Sequence, residues 1–210
     1  VNGGNYWQEG NEQGLIISRG AKIITAATHK IVITDTCFWK QPCQEPIIED
    51  QRNITITAPS DHLRFIDFDI TLKALVDIHF EKTNHSLFAA RVNPLIAVDN
   101  GGRLINTHGG VNAEGTFSKE APWCDYSGTI AGHQEGIAIF DSPRNMFHPN
   151  KWFTRDYGFF SPTPMFWLND DGMLLEKGKE LCLSYRVVVH SGPLDSVELD
   201  RLYAEWTSGW

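Results

Sequence analysis

The segment Arg64 to Ala74 constrains this chain more than any other. Phe68, Ile70, Leu72 and Ala74 are apolar, while Asp69, Thr71 and Lys73 between them are polar. A period of two puts the two sets on opposite faces of an extended backbone, so the segment is a β-strand with one face buried and the other wet. Leu63 and Phe65 hold the opposite phase, which predicts a β-bulge near Ile66-Asp67. Leu181, Leu183, Tyr185, Val187 and Val189 alternate in the same way with Cys182, Ser184, Arg186 and His190, predicting a second long strand late in the chain. His29 to Thr34 and Asn53 to Thr57 are rich in β-branched residues and bounded by polar turns. Gly136 to Phe140 is a short apolar run that reads as a central strand ending at Asp141-Ser142-Pro143.

A helical pattern comes only at the end. Asp195 with Glu198 three residues on makes a capping box, and Val197, Leu199, Leu202, Tyr203 and Trp206 form a helical apolar stripe. Many strands and a single C-terminal helix predict an all-β fold, a large antiparallel β-sandwich forming one domain over residues 1–210, with a closed barrel as the runner-up. The long connections Gly101 to Pro122 and Ser142 to Trp152 are expected to carry functional loops. Val1-Asn2-Gly3-Gly4 opens the sequence without an initiator Met and reads like the middle of a loop, so the domain is expected to be truncated at its N-terminus.

Charge and composition narrow the partners. A formal net charge of −8 opposes binding to nucleic acid or to anionic membranes, which gain nothing from a negative protein. The apolar stretches are far shorter than the ~20 residues a membrane span needs. Neutral substrates fit this balance. Cys37, Cys43, Cys124 and Cys182 contain no CxxC pair that would mark a structural zinc site. Cys37 and Cys43 are close enough in sequence to bridge a loop, whereas Cys124 and Cys182 sit in strand contexts expected to bury a small reduced thiol. A secreted or periplasmic location is expected.

The stretch Thr83-Asn84-His85-Ser86-Leu87-Phe88 places an imidazole between an amide and a hydroxyl at the end of a strand-like run. An imidazole exchanges protons near neutral pH, and the Asn84 amide can bond a sugar ring oxygen or hydroxyl. The stretch resembles the Thr-Asn-His-x-Tyr-Phe signature of the aldose 1-epimerases, the galactose mutarotases, with Leu87 at the Tyr position and Ala89 where an Asn usually follows. That resemblance implies a galactose-mutarotase-like supersandwich and makes His85 the expected acid of a sugar-handling site. Mutarotation also needs a base. The C-terminal carboxylate motif of mutarotases has no recognisable equivalent here, and Glu114, Asp125, Glu135 and Asp156 stay open as candidates.

A second set of segments is longer. Trp123 to Gly128, Glu135 to Asp141 and Trp152 to Phe160 resemble the family catalogued as methane oxygenase PmoA, and Val1 to Trp7 and Tyr185 to His190 fit its pattern too. The resemblance implies that an N-terminal part with a His-rich stretch precedes this chain. The family name implies oxygenase chemistry, yet a membrane copper oxygenase requires spanning helices and clustered imidazoles. Here eight His are scattered, at 29, 62, 79, 85, 108, 133, 148 and 190, without metal-ligand spacing. No cofactor is therefore expected, with a single metal ion as the alternative.

The leading expectation is a carbohydrate-active protein that binds or transforms a neutral sugar or glycoside by acid/base chemistry on the open face of the sandwich. His85, Asp125 and Glu114 are the catalytic candidates. Asn84, His108, Trp123, Tyr126, His148, Trp152, Arg155, Asp156 and Tyr157 are the binding candidates, with the aromatic residues as stacking platforms. Arg155 and Asp156 admit a second role, as a buried ion pair. A non-catalytic carbohydrate-binding or assembly module is the alternative function, and a metal-dependent oxygenase or lyase the third.

Overall fold

The computed structural model describes residues 1–8, 10, 12–84 and 86–209. In chain order the strands are Leu15–Ser18 (β1), Lys22–Ala27 (β2), Lys30–Lys40 (β3), Ile48–Ser60 (β4), Leu63–Ala74 (β5), Ile78–Phe80 (β6), Ala90–Arg91 (β7), Arg103–Asn106 (β8), Trp123–Ile130 (β9), His133–Asp141 (β10), Trp152–Arg155 (β11), Phe159–Pro162 (β12), Met173–Leu175 (β13) and Glu180–Ser191 (β14). The described residues also form two α-helices, Asn112–Thr116 (α1) and Ser196–Thr207 (α2), and three short 3-10 turns at Pro94–Ile96, Val98–Asn100 and Met165–Trp167. Nine of those strands form one antiparallel sheet in the order β1-β3-β4-β5-β14-β10-β9-β8, with β2 also paired to β3. Two small sheets, β11-β12-β7 and β13-β6, pack against it, so the fold is an antiparallel β-sandwich. No described helix is long and apolar enough to cross a membrane.

The large sheet is covered on both faces, and this explains the phase change in β5. Leu72 and the partly buried Ile66, Phe68 and Ile70 enter the main core, beside Trp39, Ile48, Tyr126, Ile139, Leu183, Tyr185 and Val187. Leu63 and Phe65 point the other way, into a second core that α2 closes with Leu199, Leu202 and Trp206. The expected bulge at Ile66-Asp67 is absent: β5 pairs with β14 without a register shift, from Leu63 opposite His190 to Lys73 opposite Glu180. An apolar residue in the wrong phase signals a second layer here, because either face of a strand can be buried.

The same second layer alters the end of β14. Val189 is 37% exposed and His190 only 2%, the reverse of the alternation expected from sequence. Cys182 lies on the wet face of β14 and is exposed rather than buried, while Cys124 is buried as expected. All four cysteines are free thiols, so Cys37 and Cys43 form no bridge. Burial pushes the Cys37 thiol up to about 11, against the nearby Arg52 charge, which pulls it down, and with smaller upward contributions from Asp35 and Asp50.

Helix α2 starts as the sequence predicts, with the Asp195 carboxylate accepting from the Glu198 backbone N–H at 2.9 Å. The Glu198 side chain bonds Arg201 instead of reaching back to the cap. Val197, expected in the apolar stripe, is 75% exposed, because the buried contacts are made by Leu199, Leu202 and Trp206.

Candidate functional site

A cavity of about 600 Å3 opens over the main-core face of the large sheet, between the strands and the segments at residues 1–7, 81–83 and 86–88. Three adjacent strands build its floor. Asp50, Arg52 and Ile54 stand on one face of β4, Trp39 rises from β3 on one side, and Phe68, Ile70 and Leu72 rise from β5 on the other. Side chains two residues apart in a strand share a face, which is why Asp50 and Arg52 meet. Arg52 Nε donates to both Asp50 oxygens at 3.1 and 3.0 Å, and its Nη2 donates to Oδ2 at 2.5 Å. Trp39 Nε1 donates to the same Oδ2 at 3.0 Å. Asp50 is therefore buried and fully engaged, and its hydrogen bond is the largest influence raising the Arg52 pKa above its already high ordinary value.

The walls are aromatic. Tyr6 and Trp39 pack at 5.2 Å on one side, and Phe68 and Phe88 at 5.1 Å on the other, with Phe88 stacked on Tyr185 at 4.3 Å. Lys82 on the rim is paired with Asp170 at 3.0 Å. Thr83, Ser86, Leu87 and Phe88 all line the cavity, so the motif read from sequence borders it. The Ser86 hydroxyl is buried without a hydrogen-bond partner among the described residues. Asn84 is exposed, and His85 lies outside the described residues.

The other expected site residues fall elsewhere. Trp123, Tyr126 and Trp152 are all 0% exposed. Trp123 Nε1 donates to Asp200 at 2.8 Å in the second core, Trp152 Nε1 donates to the Ala121 carbonyl at 2.8 Å, and the Tyr126 hydroxyl bonds the Arg155 and Asp156 carbonyls. None of the three offers a ring face to solvent. Asp125 is also 0% exposed, with Oδ1 bonded to His190 Nε2 at 2.9 Å. Glu114 is exposed in the first turn of α1, and His108 is exposed just after β8.

Arg155 and Asp156 make separate contacts instead of the expected ion pair. The Arg155 guanidinium lies over the rings of Phe153 and Phe117 at 4.0 and 4.7 Å. Asp156 accepts from the Ala113 N–H at 2.8 Å, at the start of α1. Arg155 is the last residue of β11 and Asp156 begins the turn after it, and the two side chains find different partners. Tyr157 is 48% exposed beneath the Arg91 guanidinium.

His148 belongs to a loop organised by the buried Asp141 carboxylate. Asp141 accepts from Asn145 Nδ2 at 2.8 Å, from Asn150 N and Nδ2 at 3.1 and 3.0 Å, and meets His148 Nδ1 at 3.0 Å. The His148-Pro149 peptide is cis. No three His, Cys, Asp or Glu side chains converge as a metal-ligand set among the described residues.

A family model described as a family of unknown function (DUF6807) matches residues 1–204. The chain belongs to that family. The match corrects the expected membership of the methane oxygenase PmoA family, since it runs over almost the whole chain and is to a different family. No curated protein matches the chain. Membership of DUF6807 assigns no activity.

Sequence reasoning missed Tyr6, Trp39, Asp50 and Arg52. Asp50 and Arg52 stand at alternate positions just ahead of the expected strand at Asn53, and extending that strand backwards by one period would have placed them together on one face.

Proposed function

We propose that this protein binds a neutral sugar or glycoside in the cavity above β3, β4 and β5. The observation that carries the reading is the pairing of aromatic walls with a hydrogen-bonding floor. The C–H face of a sugar ring packs on aromatic carbon, while its hydroxyls need polar partners in an otherwise dry site. The cavity volume lies within the ~300–1,000 Å3 usual for small-molecule sites. Arg52 and Lys82 are each matched by a carboxylate, which suits a ligand without charge.

A non-catalytic binding role is favoured by Asp50, whose carboxylate is turned to Arg52 and Trp39 instead of standing alone in the cavity. Turnover would need His85 as the acid. A secreted or periplasmic setting, where glycans are met, goes with either role. Calorimetric titration with a panel of neutral mono- and oligosaccharides tests the reading: saturable one-to-one binding is expected, and no binding across the panel would overturn it. If any sugar is chemically altered, His85→Gln is expected to keep binding and lose turnover, and unchanged turnover would remove His85 from the mechanism.

A further inference from the structure

We infer that Arg52 is the specificity-determining group of the cavity, positioned by Asp50 and Trp39, and that it binds a pair of neighbouring hydroxyls on a neutral sugar in preference to a carboxylate. The inference rests on the carbohydrate reading. A guanidinium carries five N–H donors in a planar fork. Arg52 spends Nε and one position of Nη2 on Asp50, at 3.0–3.1 Å and 2.5 Å. Nη1, on the opposite edge, has no hydrogen-bond partner among the described residues, and the side chain is 34% exposed on the cavity floor. Its two N–H groups form a donor pair on the floor among the apolar side chains of Ile54, Phe68, Ile70 and Leu72.

That donor pair is fixed before any ligand arrives. Asp50 is 1% exposed and is itself held by Trp39 Nε1, so the guanidinium plane is set by a buried partner on its own strand and a ring on the next. Groups ordered in advance lose less freedom on binding, and supported donors hold their direction.

The charges around Arg52 choose the acceptor. Asp50 already matches its positive charge, and Asp35 stands directly opposite it on β3. Asp35 is occupied by Ser18 Oγ at 2.9 Å and by the Cys37 thiol at 3.5 Å, and its charge also acts on the guanidinium. A carboxylate ligand would find two carboxylates beside one cation. Hydroxyl oxygens accept the same two hydrogen bonds without that repulsion. A lysine does not reproduce this arrangement, because its ammonium has no planar fork, and the N–H groups left after it engages Asp50 are not held in one direction.

The test is calorimetric titration of wild type, Arg52→Gln and Arg52→Lys with galactose, xylose, maltose and galacturonate, together with the Arg52 Nε–H resonance of arginine-labelled wild type. The neutral sugar that binds wild type best is expected to shift that resonance, to bind both variants about tenfold or more weaker, and to bind wild type more tightly than galacturonate. The resonance keeps the inference open to refutation even if Arg52→Gln fails to fold. Wild-type affinity in Arg52→Lys, an unmoved Arg52 resonance at saturating sugar, or tighter binding of galacturonate would overturn the role of Arg52 while leaving sugar binding intact. Absence of binding by any sugar to wild type would overturn the carbohydrate reading and this inference with it.

Discussion

His190 lies between two acceptors, with Nε2 2.9 Å from Asp125 Oδ1 and Nδ1 3.3 Å from the Gly192 carbonyl. A neutral imidazole has one N–H and satisfies only one of them, whereas the imidazolium satisfies both. Burial pulls the His190 pKa down, but the hydrogen bond and charge of Asp125, with the Gly192 carbonyl and Glu135, outweigh it and hold the pKa above its ordinary 6.5. A raised pKa in the fold means that this contribution to stability is complete below pH 6.5 and is lost as pH rises through the folded value. The unfolding midpoint of wild type is therefore expected to fall across that window, and the fall to shrink in Asp125→Asn; equal slopes in the two proteins would refute the ion pair. Gly136 shows how closely the ring is enclosed, since a Cβ there would sit 2.2 Å from His190 Nε2. The sequence hid this pair because alternation assigned His190 to the wet face, and Asp125 is 65 residues away, where nothing local marks it as buried.

At the scale of elements, α2 behaves as a lid on the second core. Leu199, Leu202 and Trp206 pack on Trp123, Phe140 and Val188, and Asp200 accepts from the Trp123 indole. Leu202→Ala is expected to cost about 2–5 kcal/mol by removing buried contacts, and Asp195→Ala about 1 kcal/mol by removing the cap. Denaturant titrations check both, and equal costs for the two would show that α2 is held by its own propensity and not by packing. Most of this element was legible, from the Asp195 and Glu198 spacing and the leucine stripe. Val197 was not, because a stripe shows the side a helix can bury but not the width its neighbour covers. The strands were legible in kind and short in extent. β3 and β4 run further than their β-branched centres, through Asp35, Cys37, Asp50 and Arg52, since pairing with neighbours overrides local propensity.

For the whole molecule, the sandwich could be anticipated from alternation and composition, but the cavity could not. Its floor joins Trp39, Arg52 and Phe68, which only the β3-β4-β5 pairing brings side by side, and its walls join residues 6 and 88 through the tertiary fold. The aromatic residues chosen from sequence, Trp123, Tyr126 and Trp152, fill the two cores, because a large ring is as useful for packing as for binding. Thr83, Ser86, Leu87 and Phe88 of the motif line the cavity, whereas Asn84, the candidate beside them, is not among its lining residues. A crystal structure of the protein soaked in its best-binding neutral sugar shows whether the cavity above β3, β4 and β5 is where that sugar sits. The sugar is expected between the Tyr6–Trp39 and Phe68–Phe88 walls with an oxygen on Arg52 Nη1; density confined to another surface, such as the Asp141–His148 loop or the exposed Tyr157 ring, would contradict it.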